Sequence, residues 1–251
     1  MSTSLKALQE YTSSEDEETV NNNAKEKSKV KVLPIPKDII NNYRNTKDNN
    51  VNHQGRVRSF AHLKGNWPTH VYIPYQYELL EQLKEKVQLT LKDFSEWKIV
   101  DSFHVSLSRT FVLPYNQIQP IKSLLYESLR SENKFRIQLD PNDLRFYTND
   151  EKTRSFLAFE INHSVIKHRL LELTTKVDNV LEKYKIEKYY KHPSFHLSVA
   201  WCLGVKSSSE ELKTFKQHWN LLFTQNDDLF EMFVDFVSMK CGNKYMTFSL
   251  I

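Results

Sequence analysis

Two stretches of the sequence, FHVSLSRT (Phe103–Thr110) and FHLSVAWC (Phe195–Cys202), repeat the pattern Phe-His-apolar-Ser-apolar. Such alternation is typical of a half-buried β-strand, in which every second side chain lies on the same face. The histidine and serine of each copy therefore share a face, opposite the apolar residues. These pairs are His104 with Ser106 and His196 with Ser198. The repeat predicts two equivalent strands that each present an imidazole and a hydroxyl.

The flanking alternation, rather than His-x-Ser itself, makes this pattern specific. The composition predicts roughly one His-x-Ser match by chance, and a third match does occur at His192-Pro193-Ser194. Its proline does not fit the interior of a paired strand. Either remaining motif alone is well explained by an ordinary half-buried histidine, but that explanation fits the pair of motifs poorly.

Side by side, the two strands would bring two imidazoles and two hydroxyls into one cleft. Histidine has an unperturbed pKa of about 6.5, so one ring can act as a base while the other acts as an acid. Hydroxyl groups can donate hydrogen bonds to anionic oxygens. This set suits cleavage of an RNA phosphodiester by its own 2′-hydroxyl. Acid–base chemistry by two imidazoles needs no metal ion, and we expect no metal or other cofactor.

Composition excludes several other classes of protein. The chain has 251 residues and a net charge of +4, which is compatible with a polyanionic partner. Its four glycines make no P-loop, dinucleotide-binding fingerprint or Gly-x-Ser-x-Gly elbow. Two cysteines exclude a disulfide scaffold and fit a reducing compartment. Without an apolar run of membrane-spanning length or a signal peptide, we expect a soluble intracellular protein.

The chain divides into two regions by composition. Residues 1–50 are polar and lack hydrophobic periodicity, which predicts a disordered N-terminal tail. Residues 51–251 alternate between strand and helix patterns. The helix patterns are Tyr77–Leu91, Ile118–Ser131, Val165–Tyr184 and Ser207–Phe223. The sequence thus predicts an α+β domain of two pseudo-symmetric lobes, each an antiparallel sheet backed by helices, with the active site in the cleft between them.

These residues resemble the two-histidine (2H) phosphoesterase superfamily, and most closely the U6 small nuclear RNA phosphodiesterase family. The similarity covers about residues 55–250. Besides the first motif it rests on four stretches, GRVRSFAHLKGNWPTHVYIPY, FYTNDEKTRSFLAFEI, YYKHPSFHLSVAWCLG and KCGNKYMTFSL. The second motif departs from the first by ending in Ala200, which cannot bind phosphate through its side chain.

The resemblance implies a 3′-to-5′ exoribonuclease that trims the oligouridine tail of U6 small nuclear RNA. Such enzymes leave a 2′,3′-cyclic phosphate, which some members open to a terminal phosphate. The catalytic pair maps onto His104 and His196, and the resemblance favours His196 as base and His104 as acid. It places phosphate contacts on Ser106 and Ser198, and a base-stacking tyrosine on Tyr190. It also implies an RNA partner, a nuclear location and a monomer.

Two alternatives remain open from the sequence. One is a 2H enzyme with a small substrate, such as a cyclic phosphodiesterase or a ligase-like protein. The other is a non-catalytic RNA-binding splicing factor that retained the fold. Two intact His-x-Ser motifs argue against the second alternative, because a decayed site would be expected to lose one of its four groups.

Overall fold

The computed structural model describes residues 65–222 and 228–251, and the predicted tail lies outside these residues. Apolar periodicity of about 3.6 residues produces four helices here, α1 (Tyr77–Thr90), α2 (Tyr115–Leu129), α3 (Ser164–Glu182) and α4 (Ser209–Leu222). In α2, for example, the buried side chains are Ile118, Ile121, Leu125 and Leu129. All four predicted helices are confirmed. None of the described helices is long and apolar enough to cross a membrane.

Eleven strands lie in the described part of the chain. They are β1 (Asn66–Pro74), β2 (Lys98–Ile99), β3 (His104–Ser106), β4 (Phe111–Pro114), β5 (Phe135–Gln138), β6 (Leu144–Thr148), β7 (Arg154–Glu160), β8 (His196–Leu203), β9 (Glu231–Val234), β10 (Phe236–Cys241) and β11 (Lys244–Ser249). A short 3₁₀ turn, Asp228–Phe230, precedes β9.

Nine of these strands form one antiparallel sheet. Its order is β11-β10-β1-β3-β8-β7-β6, with β4 also paired to β1 and β2 to β8. The other two strands, β5 and β9, pair with each other. The α+β class is therefore confirmed. Because β3 and β8 are neighbours, the sheet is continuous from one half of the chain to the other, and the division into two lobes stays a prediction.

The two faces of this sheet have opposite character. On β3 and β8 the side chains of Val105, Leu197 and Val199 are buried, and they join the apolar residues of the helices in one core. The histidines of both motifs lie on the other face and are only partly buried. Strand alternation thus separates a packing face from a polar face, as the sequence pattern predicted.

Pro120 shows where local rules and the structure differ. The sequence pattern begins the second helix near this proline, whereas α2 begins five residues earlier, at Tyr115. Pro120 therefore lies inside the helix and removes one backbone hydrogen bond from its second turn. The buried stripe that begins at Ile118 continues past the proline, and its burial offsets that loss.

Gly242 is required by the hairpin that joins β10 to β11. Its φ is +55°, and a Cβ there would stand 2.6 Å from Cε3 of Trp67. We expect Gly242→Ala to lower the free energy of unfolding by about 2–4 kcal/mol, because backbone strain and a side-chain clash both contribute. Gly204→Ala is the matched control, since φ there is +78° but no atom lies within 4 Å of an added Cβ. Urea unfolding should show the smaller loss, about 1 kcal/mol, for that variant; equal losses would rule out the clash.

Candidate active site

The sheet places both His-x-Ser motifs in one cleft. Val105 and Leu197 are paired across β3 and β8, and this antiparallel register puts His104 opposite Ser198 and Ser106 opposite His196. The resulting cavity has a volume of about 290 Å³. Both motifs contribute their histidine and serine to its lining, together with Arg154, Phe156 and Trp201. Four of the five predicted site residues are therefore brought together.

Each histidine of the pair is held by the same local contact. Nδ1 of His196 lies 2.7 Å from the carbonyl oxygen of Ser194, and Nδ1 of His104 lies 3.1 Å from that of Ser102. A carbonyl oxygen only accepts hydrogen bonds, so these contacts favour the tautomer with the proton on Nδ1 in both rings. Oγ of Ser102, 3.3 Å from Nδ1 of His104, can then accept from the same N–H. In the neutral form each Nε2 is then unprotonated and able to accept a proton. The two rings are thus prepared for acid–base chemistry in matching tautomers.

Burial makes both imidazoles weaker bases than free histidine. It lowers the pKa of His104 to about 4; the hydrogen bond to Ser102 opposes this change, while the positive charges of His196 and Lys240 add to it. Burial also lowers the pKa of His196, against the hydrogen bond to Ser194 and the negative charge of Glu160. At neutral pH the unliganded site therefore holds two neutral rings, and a bound phosphate anion favours protonation.

Glu160 is the charged group that makes the electrostatic environment of His196 different from that of His104. It is paired with His196 in the β7–β8 register and accepts hydrogen bonds from Ser194 and Asn162. Its carboxylate also forms an ion pair with Arg145. Among the described residues, no carboxylate shifts the pKa of His104. His196 is thereby the ring whose protonated form this site stabilises by a nearby negative charge.

Replacing Glu160 by glutamine is expected to lower the pKa of His196 further, because the variant removes the negative charge that favours the imidazolium. A base must be unprotonated to act, so with His196 as the base the acidic limb of the kcat/KM profile for RNA should move to lower pH. NMR titration of the His196 ring measures the shift directly and does not depend on activity. Asp178→Asn is the control, because Asp178 does not contribute to the pKa of either ring. An unchanged His196 titration in Glu160→Gln would show that Glu160 does not stabilise the His196 imidazolium.

A third histidine, which the sequence analysis did not single out, borders this pair. His70 lies on β1 with its Nε2 3.3 Å from Oγ of Ser106. Its ring stacks on Tyr72 and meets His104 edge-on, at centroid distances of 4.7 and 4.8 Å. The alternation of THVYIPY (Thr69–Tyr75) indicates a strand with His70 and Tyr72 on one face. Only the pairing of β1 with β3 shows what that face meets.

A tyrosine also supports the second histidine. The ring of Tyr147 on β6 stacks on His196 with centroids 4.0 Å apart and planes 15° from parallel. Its hydroxyl lies 3.1 Å from Oγ of Ser194, the residue whose carbonyl holds the His196 ring. Tyr147 thus restricts the orientation of the imidazole from its face. The sequence analysis did not identify it as a site residue, because the contact joins two strands that are not neighbours in the sheet.

Tyr190 is the one predicted site residue that does not line the cavity. The Arg109 guanidinium lies 3.9 Å from its ring centroid, and its hydroxyl donates to Asp150 at 3.0 Å. Arg109 also pairs with Asp150 at 2.8 Å, so the three side chains hold one another. The tyrosine remains 40% exposed. Its role in base stacking stays a prediction.

Metal ligation has no support among the described side chains. Residues 65–222 and 228–251 contain no group of three or more His, Cys, Asp or Glu side chains arranged to hold a metal ion. Both cysteines, Cys202 and Cys241, are buried free thiols.

Comparison with known proteins identifies the family. The model of the HVSL family, described as an uncharacterised conserved protein, matches residues 33–249. U6 snRNA phosphodiesterase 1 of Xenopus laevis is 32% identical over 254 residues, which cover 98% of this chain and 100% of the relative. The human protein of the same name is 32% identical over 229 residues, 87% of this chain and 84% of its own.

Among solved structures, Kluyveromyces marxianus Usb1 aligns with a TM-score of 0.47 and 14% identity, over 74% of this chain and 99% of that one. The sequence relatives and the family match confirm the resemblance to the U6 small nuclear RNA phosphodiesterase family. The chain belongs to the HVSL family and to the family of the U6 snRNA phosphodiesterase 1 proteins.

Proposed function

We propose that this protein is a 3′-to-5′ exoribonuclease that trims the oligouridine tail of U6 small nuclear RNA without a metal ion. The observation that carries the proposal is the cleft in which two imidazoles, fixed in the same tautomer, stand beside two serine hydroxyls. The names of the sequence relatives supply the substrate, since those proteins are U6 snRNA phosphodiesterases.

The reaction needs two proton transfers and one displacement at phosphorus. One imidazole removes the 2′-hydroxyl proton of the penultimate nucleotide through its free Nε2. The 2′-oxygen forms a bond to phosphorus as the bond to the 5′-oxygen of the terminal nucleoside breaks. The other imidazole, protonated at Nε2, gives its proton to that departing oxygen. Ser106 and Ser198 donate hydrogen bonds to the non-bridging oxygens, and the shortened RNA ends in a 2′,3′-cyclic phosphate.

The environment of the two rings supports His196 as the base and His104 as the acid. After taking the 2′ proton, His196 is an imidazolium, and Glu160 stabilises that charge. His104 has a pKa of about 4 in the free protein and so gives up a proton readily. The bound phosphate anion, close to both rings, supplies the negative charge that keeps His104 protonated until transfer.

The experiment is a time course on a short RNA ending in several uridines, with and without EDTA, read by mass spectrometry of the 3′ ends. We expect stepwise shortening at equal rates in both conditions and end masses of a cyclic phosphate or its opened product. Loss of shortening in EDTA would refute the metal-free mechanism. If only 2′,3′-cyclic mononucleotides were consumed, the small-substrate enzyme would be the correct alternative; RNA binding without turnover would identify a binding protein.

We also propose that the protein acts as a monomer in the nucleus on an RNA end. The positive net charge favours a polyanionic partner, and the substrate named for its relatives is a nuclear RNA. Light scattering of the purified chain tests the monomer, and imaging of a tagged chain in its own cells tests the location. A stable dimer or exclusion from the nucleus would overturn the corresponding part.

A further inference from the structure

The polar face of the sheet holds a third imidazole for which the proposed mechanism has no use. His70 is enclosed by neighbouring groups. Tyr72 covers one ring face, His104 meets the ring from the side, and Lys240 is its cross-strand partner on β10. A polar side chain placed so close to the catalytic pair, and bonded to one of the phosphate-binding serines, requires a chemical explanation.

The protonation state of His70 follows from its surroundings. Burial lowers its pKa well below the usual value, and the positive charges of His104 and Lys240 lower it further. Within the described part of the chain, no acidic group contributes to this shift. The ring is therefore neutral at physiological pH and carries one N–H. The protonated form of His196, by contrast, is favoured by the negative charge of Glu160.

The hydrogen bond between His70 and Ser106 can be made in two ways. If Nε2 accepts, the single hydroxyl proton of Ser106 is directed at His70, and the serine presents only lone pairs to the cleft. If Nε2–H donates, Oγ accepts, and the serine proton is free to bond to an anionic oxygen. A bound phosphate repels the first arrangement and stabilises the second.

We propose that neutral His70, protonated on Nε2, donates a hydrogen bond to Ser106 and thereby directs the Ser106 hydroxyl proton at a phosphate oxygen in the cleft. His70 is thus a positioning residue that acts through Ser106. The inference rests on the proposed function insofar as the phosphate belongs to an RNA linkage. The anion-binding part holds for any phosphate in this cleft.

The test is a set of double-mutant cycles on kcat/KM. In the wild-type background His70→Leu should lower kcat/KM by about tenfold, the loss expected for one hydrogen bond. In a Ser106→Ala background the same change should cost less than about twofold, because the group it directs is gone. In a Ser198→Ala background it should again cost about tenfold, since no hydrogen bond joins His70 to Ser198 in the described structure.

Amide variants separate positioning from packing. The terminal amide of His70→Gln reaches about as far as Nε2 and can donate to Ser106, so this variant should retain activity within about threefold of wild type. His70→Asn ends near the position of Nδ1 and should lose as much as His70→Leu. Equal activity of the Gln and Asn variants would overturn the proposal. An equal cost of His70→Leu in all three backgrounds would also overturn it, and that outcome does not depend on how well the amide variants fold.

A binding measurement keeps this inference separate from the exonuclease proposal. Inorganic phosphate can be titrated into each folded variant and followed by calorimetry, whether or not the protein cleaves RNA. His70→Leu should weaken phosphate binding in the wild-type background and should have no effect when Ser106 is already alanine. That result supports the positioning role whether or not the protein cleaves RNA. Identical phosphate affinity in wild type, His70→Leu and Ser106→Ala refutes it.

Discussion

Alanine in place of His196 or His104 is expected to reduce RNA trimming by about 10²–10⁴-fold in each case, the usual contribution of one general acid or base. The double variant should be only slightly slower than the worse single variant. Once one proton transfer is lost, the remaining ring cannot complete the concerted displacement, and groups that act as a unit are not additive. Single-turnover cleavage of a uridine-tailed RNA measures all three rates.

The third His-x-Ser match supplies the matched control for this prediction. His192 is exposed, and its imidazole lies outside the cavity lining, so His192→Ala should cleave at the wild-type rate. Thermal unfolding should show that all variants are folded. Residual activity within tenfold of wild type in either His104→Ala or His196→Ala would remove that residue from the catalytic pair.

A 2′-deoxy sugar at the penultimate nucleotide should abolish the first cut altogether. The proposed nucleophile is that 2′-oxygen, so without it no bond to phosphorus can form, whatever the state of the histidines. The matched control substrate carries the 2′-deoxy sugar on the terminal nucleoside, which leaves the nucleophile in place and should be cleaved normally. Mass spectrometry of the 3′ ends distinguishes the two strands.

Cleavage of the penultimate deoxy strand would mean that water attacks the phosphate directly. In that case the new 3′ end would carry an ordinary hydroxyl or phosphate from the first turnover, with no cyclic species at early times. The two histidines would then activate a water molecule, and the mechanism predicted from the sequence would be wrong.

The sequence was sufficient for the placement of the His-x-Ser motifs because that placement depends on strand periodicity, a local property. It was not sufficient for strand boundaries. The stretch Trp97–Leu113 has one continuous strand pattern but forms three short strands. The reason is a change of partner, since β2 pairs with β8, β3 pairs with both β8 and β1, and β4 pairs with β1. Such partners lie far apart in sequence.

The residues that support the two histidines could not be predicted from the sequence, again because their contacts join segments far apart in the chain. His70 is significant only because β1 pairs beside β3, and Tyr147 only because its ring reaches His196 from another strand. Neither contact has a local sequence signature. Tyr190 shows the reverse case, where a motif position is clear but the structure ties the side chain to Arg109 and Asp150.

In the proposed mechanism, the matching carbonyl contacts of His104 and His196 would allow each ring to serve as acid in one step and as base in the other. Opening a cyclic phosphate requires the two rings to exchange roles, because the former acid must take a proton from water and the former base must return one to the 2′-oxygen. Because each Nδ1 already lies against a backbone carbonyl, the proposed exchange of roles would not require either ring to rotate or change tautomer. Under this mechanism, access of water to the place vacated by the nucleoside would decide whether the RNA end remains cyclic. Residues that shield that place, rather than the histidines, would then set the final product.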